Sequence, residues 1–191
     1  MLILILSILA VGLFAGWGVY AYLDRSFDLS VKSIENLIDD LFLIHLTKPG
    51  NLVWDPGSYA KFTLPDSKAS RLLTIASRTD ENELLLLTHT SGSAFKKALT
   101  SLHKGEKIQM SWLYSTLKVK EDASPLVCFS SDVGIAAIRP IITVWAGKRE
   151  LVLSHLDKGV LVFDGELAEL VANQELLTYQ TSASYSQSQE Q

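Results

Sequence analysis

SYAKFTLPDSKASRLLTIASRTDENELLLLTH, residues 58–89, holds three short apolar runs set between clusters of turn-forming residues. In the first run Ala60, Phe62 and Leu64 alternate with Tyr59, Lys61 and Thr63, the period-two pattern of a strand with one dry face. Leu72–Ala76 and Glu83–His89 read as two further strands, divided by Pro65-Asp66-Ser67 and Asp80-Glu81-Asn82. Working outward, Leu41–Thr47 (LFLIHLT) has the branched and aromatic content of a strand, and Lys48-Pro49-Gly50-Asn51 reads as a turn. Lys107–Trp112 is a strand on the other side. Several short strands at this spacing predict an antiparallel barrel or sandwich.

One helix interrupts the strands. From Ser93 to His103, apolar residues at Ala94, Phe95, Ala98, Leu99 and Leu102 form a single stripe, with Gly105 expected at C′. The pattern changes after Pro125. A strand (Leu126–Phe129), a loop of small residues (Ser130–Gly134) and a helical run from Ile135 make a βα unit. A strand at Glu150–His155, a helix at Glu166–Ala172 and a strand at Leu176–Thr181 follow, about half of a doubly wound, Rossmann-like α/β domain. Residues 182–191, SASYSQSQEQ, are polar and low in complexity, and are expected to be disordered.

At the other end, Leu2–Leu23 carries no charge. At about 1.5 Å per residue such a run crosses the roughly 30 Å core of a bilayer. Its length and its uncharged start read as a retained anchor rather than a cleaved signal. Trp17, Tyr20 and Tyr22 gather where a headgroup layer would lie, and Asp24 and Arg25 end the span. Gly12 and Gly16 form a GxxxG pair, which is either a contact face for a partner helix or the ordinary glycine content of a membrane helix. Arg25 and Lys32 follow the span, so the remaining domain is expected on the cytoplasmic side. Residues 25–38 read as a connector, with Asp39 and Asp40 as a solvated strand start.

A formal charge of −4 with both signs interspersed argues against nucleic-acid binding. The single cysteine, Cys128, excludes an internal disulfide and reads as a small buried strand residue. His45, His89, His103 and His155 lie on separate elements without the spacing of metal ligands, so no metal site is expected.

Four pieces, in order, resemble the ferredoxin–NADP reductase superfamily. Trp54-Asp55-Pro56-Gly57-Ser58-Tyr59 is similar to its "Pro-Gly-Gln-Tyr/Phe" strand start, and Arg71-Leu72-Leu73-Thr74-Ile75-Ala76-Ser77 to "Arg-x-Tyr-Ser/Thr-Ile-Ala-Ser". Gly92-Ser93-Ala94-Phe95-Lys96 through Gly105-Glu106 resembles the phosphate-binding helix and the "Gly-Asp" strand start beyond it. Leu126 to Ile135 stands in the place of the glycine-rich nucleotide loop. The resemblance implies a flavin barrel at residues 39–123 and a shortened NAD(P)-binding-like α/β domain at 124–181, after the membrane helix at 1–24. It implies FAD, rather than FMN, held by Arg71, Leu72, Leu73, Thr74, Gly92, Ser93 and Ala94, with the Thr74 hydroxyl near the reactive flavin nitrogen. Ser131, Asp132 and Gly134 would line the NAD(P)H site.

The sequence departs from the pattern at three places. Leu73 replaces the aromatic ring that flanks the flavin. Ser131 and Asp132 replace two glycines, and a carboxylate at Asp132 would repel a pyrophosphate. Ala136 and Ala137 replace a Thr-Pro pair, and the family's last strands have no counterpart. A membrane helix ahead of a flavin barrel looks like the C-terminal part of ferric reductases and NADPH oxidases, but Leu2–Leu23 contains no histidine to hold haem, so haem would need a partner chain. The expectation is a single-pass, membrane-anchored flavoprotein oxidoreductase. Its alternative is a non-catalytic member of the same fold serving as a subunit or interaction module of a membrane redox complex.

Overall fold

The computed structural model describes residues 2–23, 25–65, 69–157 and 159–183, side chains at 2–6, 21–23, 157 and 183 excepted. The tail from residue 184, the Asp66-Ser67 part of the turn after Leu64, Asp24 and the Tyr22 ring lie outside the described residues.

Six strands form one antiparallel sheet: β1 (Phe27–Ile38), β2 (Leu41–Thr47), β3 (Tyr59–Thr63), β4 (Ser70–Thr74), β5 (Glu83–His89) and β6 (Lys107–Tyr114). They lie in the order β4-β3-β6-β1-β2-β5, and an isolated Ile75–Leu86 bridge brings the two ends of the sheet together. Phe62, Leu29, Ile44, Leu46, Leu84, Leu86, Ile108 and Met110 fill the interior. The run Leu84–Leu87 does not alternate because β5 is buried on both faces. Leu84 and Leu86 face the barrel core, whereas Leu85 and Leu87 join Leu41 and Leu43 against the second half of the chain.

Residues 25–38 are not a connector. They supply β1, the longest strand, which pairs with both β2 and β6. Leu29 and Val31 are buried, but the outer half carries Lys32, Glu35 and Asn36, and two register shifts break its alternation. The polar half hid the strand from a reading based on period.

Helix α2 (Ala94–Thr100) lies between β5 and β6 and buries Phe95 and Leu99. It ends at Ser101, so Gly105 is not its C′ residue. Gly105 instead takes φ +91° in the turn before β6, where its N–H donates to the Val31 carbonyl at 2.8 Å.

The second half alternates β7 (Leu126–Ser131), a 3-10 turn (Asp132–Gly134), α3 (Ile135–Trp145), β8 (Leu151–Asp157), α4 (Asp164–Ala172) and β9 (Leu177–Ala183). Its three strands are parallel in the order β7-β8-β9, and β9 takes in Ser182 and Ala183, which the sequence assigns to the tail. Right-handed connections between strands added in one direction put both helices on one face. Cys128, Leu151, Leu153, His155 and Leu177 are buried, while Val127 and Phe129 on the opposite face of β7 are 56% and 76% exposed. Burial pushes the Cys128 thiol up, the behaviour of an inert packing residue.

Leu2–Leu23 forms α1, 22 residues without a charge. Only residues 7–20 of it have described side chains, all exposed, and among the described residues no helix is long and apolar enough to cross a membrane. Near its end the Tyr20 ring meets Trp112 of β6 edge-on at 5.9 Å.

Candidate functional site

Strands β4 and β5 touch near Ile75–Leu86, where the Ala76 N–H donates to the Leu85 carbonyl at 2.8 Å. Beyond that point no ladder joins Arg71–Thr74 to the end of β5 among the described residues. Because the two strands are antiparallel, Arg71 and the Thr90–Ser93 segment after β5 lie at the same end of this gap. The two most specific family-like pieces thus lie on two neighbouring strand edges, the lips of this unpaired stretch.

Each residue on the lips has a definite environment. Arg71 is exposed, and its Nη1 donates to the carbonyl of its neighbour Ser70 at 2.8 Å. Leu73 is half-buried and packs on the barrel core, whereas Leu72 is 61% exposed on the outer face. Thr74 is half-buried opposite Tyr59. Gly92 takes φ +89°, and a Cβ there would meet nothing within 4 Å, so space lies in front of the backbone. Ser93 caps α2, its Oγ accepting from the Lys96 N–H at 3.1 Å, and Ala94 is exposed. The cap uses one of the first-turn N–H groups of α2.

The second group of residues sits at the carboxyl ends of the parallel strands, where α/β sheets form their crevices. A cavity of 420 Å³ there is lined by Phe129, Ser130, Ser131, Ser154, Leu156 and Ser182. The Ser130 Oγ is buried without a hydrogen-bond partner. Gly134 precedes α3 with no side-chain cap on the helix. Asp132 adopts φ +53° and turns its carboxylate toward the barrel, where it meets His89 Nε2 at 2.7 Å.

That contact and another were missed in the sequence. His89, Asp40 and Asp132 come together although 49 and 43 residues separate the partners from the histidine, a distance across which no spacing rule operates. Arg139, which reads as a lone charge in an apolar helix, is buried and bonds to Glu81, Glu166 and the Ala76 carbonyl. His45 pairs with Glu83 at 2.7 Å and His103 with Glu106 at 3.3 Å. Among the described residues no group of three His, Cys, Asp or Glu side chains is placed to hold a metal ion.

No protein-family model matches the chain. Over 118 residues, 59% of this chain and 34% of the relative, it is 25% identical to the reductase component of propane 2-monooxygenase from Mycolicibacterium smegmatis. It thus spans about a third of the length of the curated relative it matches. Among solved structures it resembles a ferredoxin NADP+ reductase from Neisseria gonorrhoeae with bound FAD and NADP (TM-score 0.71, 14% identity, 83% of this chain and 68% of that one). It also resembles the ferredoxin-NADP+ reductase of Plasmodium falciparum with 2'P-AMP (TM-score 0.73, 10% identity, 88% and 76% of the two chains). A cytochrome P450 reductase from Amycolatopsis aligns with a TM-score of 0.71 at 21% identity, over 83% of this chain and 52% of that one. At such identities the likeness speaks for the fold: an antiparallel barrel followed by a parallel α/β unit, the fold of the ferredoxin–NADP reductase superfamily.

Proposed function

We propose that this chain is the FAD-binding part of a flavoprotein oxidoreductase that passes electrons toward an acceptor at a membrane, to which α1 fastens it. The observation that carries the reading is the unpaired stretch between β4 and β5 beyond their single bridge, with Arg71 and Thr74 on one lip and Gly92 and Ser93 after the other strand. FAD, when bound, supplies the electron chemistry, and the protein supplies its position and surroundings. The Arg71 guanidinium holds only its neighbour's carbonyl among the described residues, so it is available to pair bidentately with a pyrophosphate. Gly92 lets the backbone approach that anion. Thr74 offers a hydroxyl beside the ring, and Leu73 an apolar contact without stacking.

Protein purified in detergent is expected to show, or take up, the flavin absorption bands; absence of both after FAD is added rejects the proposal. Losing one charge-assisted contact of about 1.5–3 kcal/mol, Arg71→Ala should weaken flavin binding roughly tenfold to a hundredfold with the fold intact. Unchanged flavin titration would remove Arg71 from the site.

The described part of α1 is not by itself long and apolar enough to cross a membrane, so membrane attachment is our reading of the whole uncharged run Leu2–Leu23. At about 1.5 Å per residue it matches the roughly 30 Å hydrocarbon core, with the following domain on the cytoplasmic side. A Cβ at Gly12 or Gly16 would meet nothing within 4 Å, which leaves that face free for a second helix, such as one from a haem-bearing subunit. Alkaline extraction of membranes tests the attachment: release of the full chain into the wash would refute it.

A second reading, a non-catalytic subunit of the same fold, is favoured by Asp132. It places a carboxylate, paired with His89, in the turn after β7 where a pyrophosphate would be cradled. Anaerobic bleaching of bound flavin by NADH or NADPH separates the two readings.

A further inference from the structure

His89 ends β5 on the rim of the barrel, and both of its ring nitrogens face carboxylates. Nδ1 lies 2.6 Å from Asp40 Oδ1 in the β1–β2 turn, and Nε2 lies 2.7 Å from both oxygens of Asp132 in the 3-10 turn after β7. A neutral imidazole carries one N–H and can donate to only one of them; the imidazolium carries two. We infer that His89 is a protonation-dependent clasp, which as imidazolium ties the β7–α3 turn to the barrel rim and as neutral imidazole lets that turn go.

The surroundings fix which side yields. A cavity of 180 Å³ beside the histidine is lined by Ile38, Asp39, Asp40, Leu41, His89, Asp132 and Val160. The charged groups facing the ring are therefore Asp39 and Asp40 from the β1–β2 turn and Asp132 from the other half of the chain, while Val160 contributes an apolar side chain. Burial disfavours the charged ring, but hydrogen bonds to Asp132 and Asp40 outweigh it and hold the His89 pKa above its ordinary value. Asp40 keeps a second donor, the Ser91 N–H at 3.2 Å, whatever the state of the histidine. Hydrogen bonds from Ser91 and His89 hold its carboxyl below the usual range. Left-handed backbone occurs on both sides, at Asp39 (φ +44°) and at Asp132 (φ +53°), so the difference between them lies in the hydrogen bonds. When the proton leaves, one ring nitrogen presents a lone pair to a carboxylate, and Asp132, which has no second donor among the described residues, is the side that lets go. The freed segment, Ser131–Gly134, leads into α3 at the mouth of the sheet crevice. Proton loss therefore loosens the floor of that crevice and leaves the barrel rim in place.

Because the folded pKa is raised, the contribution of the clasp is complete below about pH 6.5, the free histidine value, and is lost as pH rises through the elevated folded value. Hydrogen exchange of the full chain in detergent, corrected for intrinsic rates, reads this directly without any flavin. Peptides covering residues 130–136 are expected to lose at least about tenfold of their protection between pH 5.5 and pH 8.5 or above, while strands β2 and β5 keep theirs. His89→Gln should exchange fast in that segment at every pH. Protection that does not change with pH in the wild type, or a dependence that survives in H89Q, overturns the inference. Should H89Q fail to fold, Asp132→Asn carries the test. Its His89 ring, followed by NMR, must titrate at lower pH than in the wild type, and an unchanged midpoint overturns the inference equally.

Discussion

Arg139→Ala is expected to remove about 3–5 kcal/mol of folding stability, the loss typical when one partner of a buried ion pair is deleted. The side chain is 8% exposed. Its Nη1 donates to the Ala76 carbonyl at 2.8 Å and to Glu81 Oε1 at 3.0 Å, its Nε donates to Glu166 Oε2 at 2.7 Å, and the guanidinium lies over the Phe163 ring at 4.7 Å. It thus joins the closing corner of the barrel to α4. Without it a main-chain carbonyl loses its donor, and two carboxylates lose the cation they share, with Arg78 left 3.7 Å from Glu81. Lysine cannot restore the geometry, because a point charge does not reproduce a planar fork that serves three acceptors at once. Urea unfolding measures the effect. A shift below about 0.5 kcal/mol would mean that the network contributes little, the result usual for exposed pairs.

Phe62→Ala is expected to cost a similar amount, about 3–5 kcal/mol, through lost burial and the cavity left behind. Phe62 is fully buried on β3, opposite Arg71 on β4 and Met110 on β6. Strand β4 pairs with β3, and among the described residues its one backbone link to β5 is the bridge at Ile75, so loosening β3 displaces the lip that carries Arg71 and Thr74. Flavin uptake should therefore fall together with stability, whereas Arg71→Ala lowers uptake alone. Phe129→Ser is the control. That ring is 76% exposed, and its replacement should stay within about 0.5 kcal/mol of the wild type. If Phe62→Ala unfolds at the same urea concentration as F129S, the barrel core is not where the stability resides.

Much of the barrel was legible because period-two alternation is written directly into residues such as Ala60, Phe62 and Leu64, each paired with an outward polar neighbour. Legibility failed where two environments met on one strand. In β1, Leu29 and Val31 are buried but the continuation through Lys32 and Glu35 borders solvent, so the strand reads as a linker. In β5, four consecutive leucines hide the alternation because the strand serves two cores. The candidate flavin residues were singled out for a different reason. Arg71, Thr74, Gly92 and Ser93 lie in local runs whose residue types carry the family resemblance, and each run can be read without knowing what it faces.

Local order along the chain determined the uncharged helix at Leu2–Leu23, most strand positions, and the change after Pro125 from antiparallel strands to alternating strands and helices. These follow from side-chain periodicity and turn chemistry, which act between near neighbours. Tertiary structure alone decided that β4 and β5 part after a single bridge, that His89 sits between Asp40 and Asp132, and that Arg139 is buried among Glu81, Glu166 and a carbonyl. Such contacts join residues tens of positions apart, and their energies depend on distance and desolvation, which no local pattern encodes. Asp132 marks the difference: in the sequence it is a charge that would repel a phosphate, and in the fold it is half of a pair with a histidine from the other half of the chain.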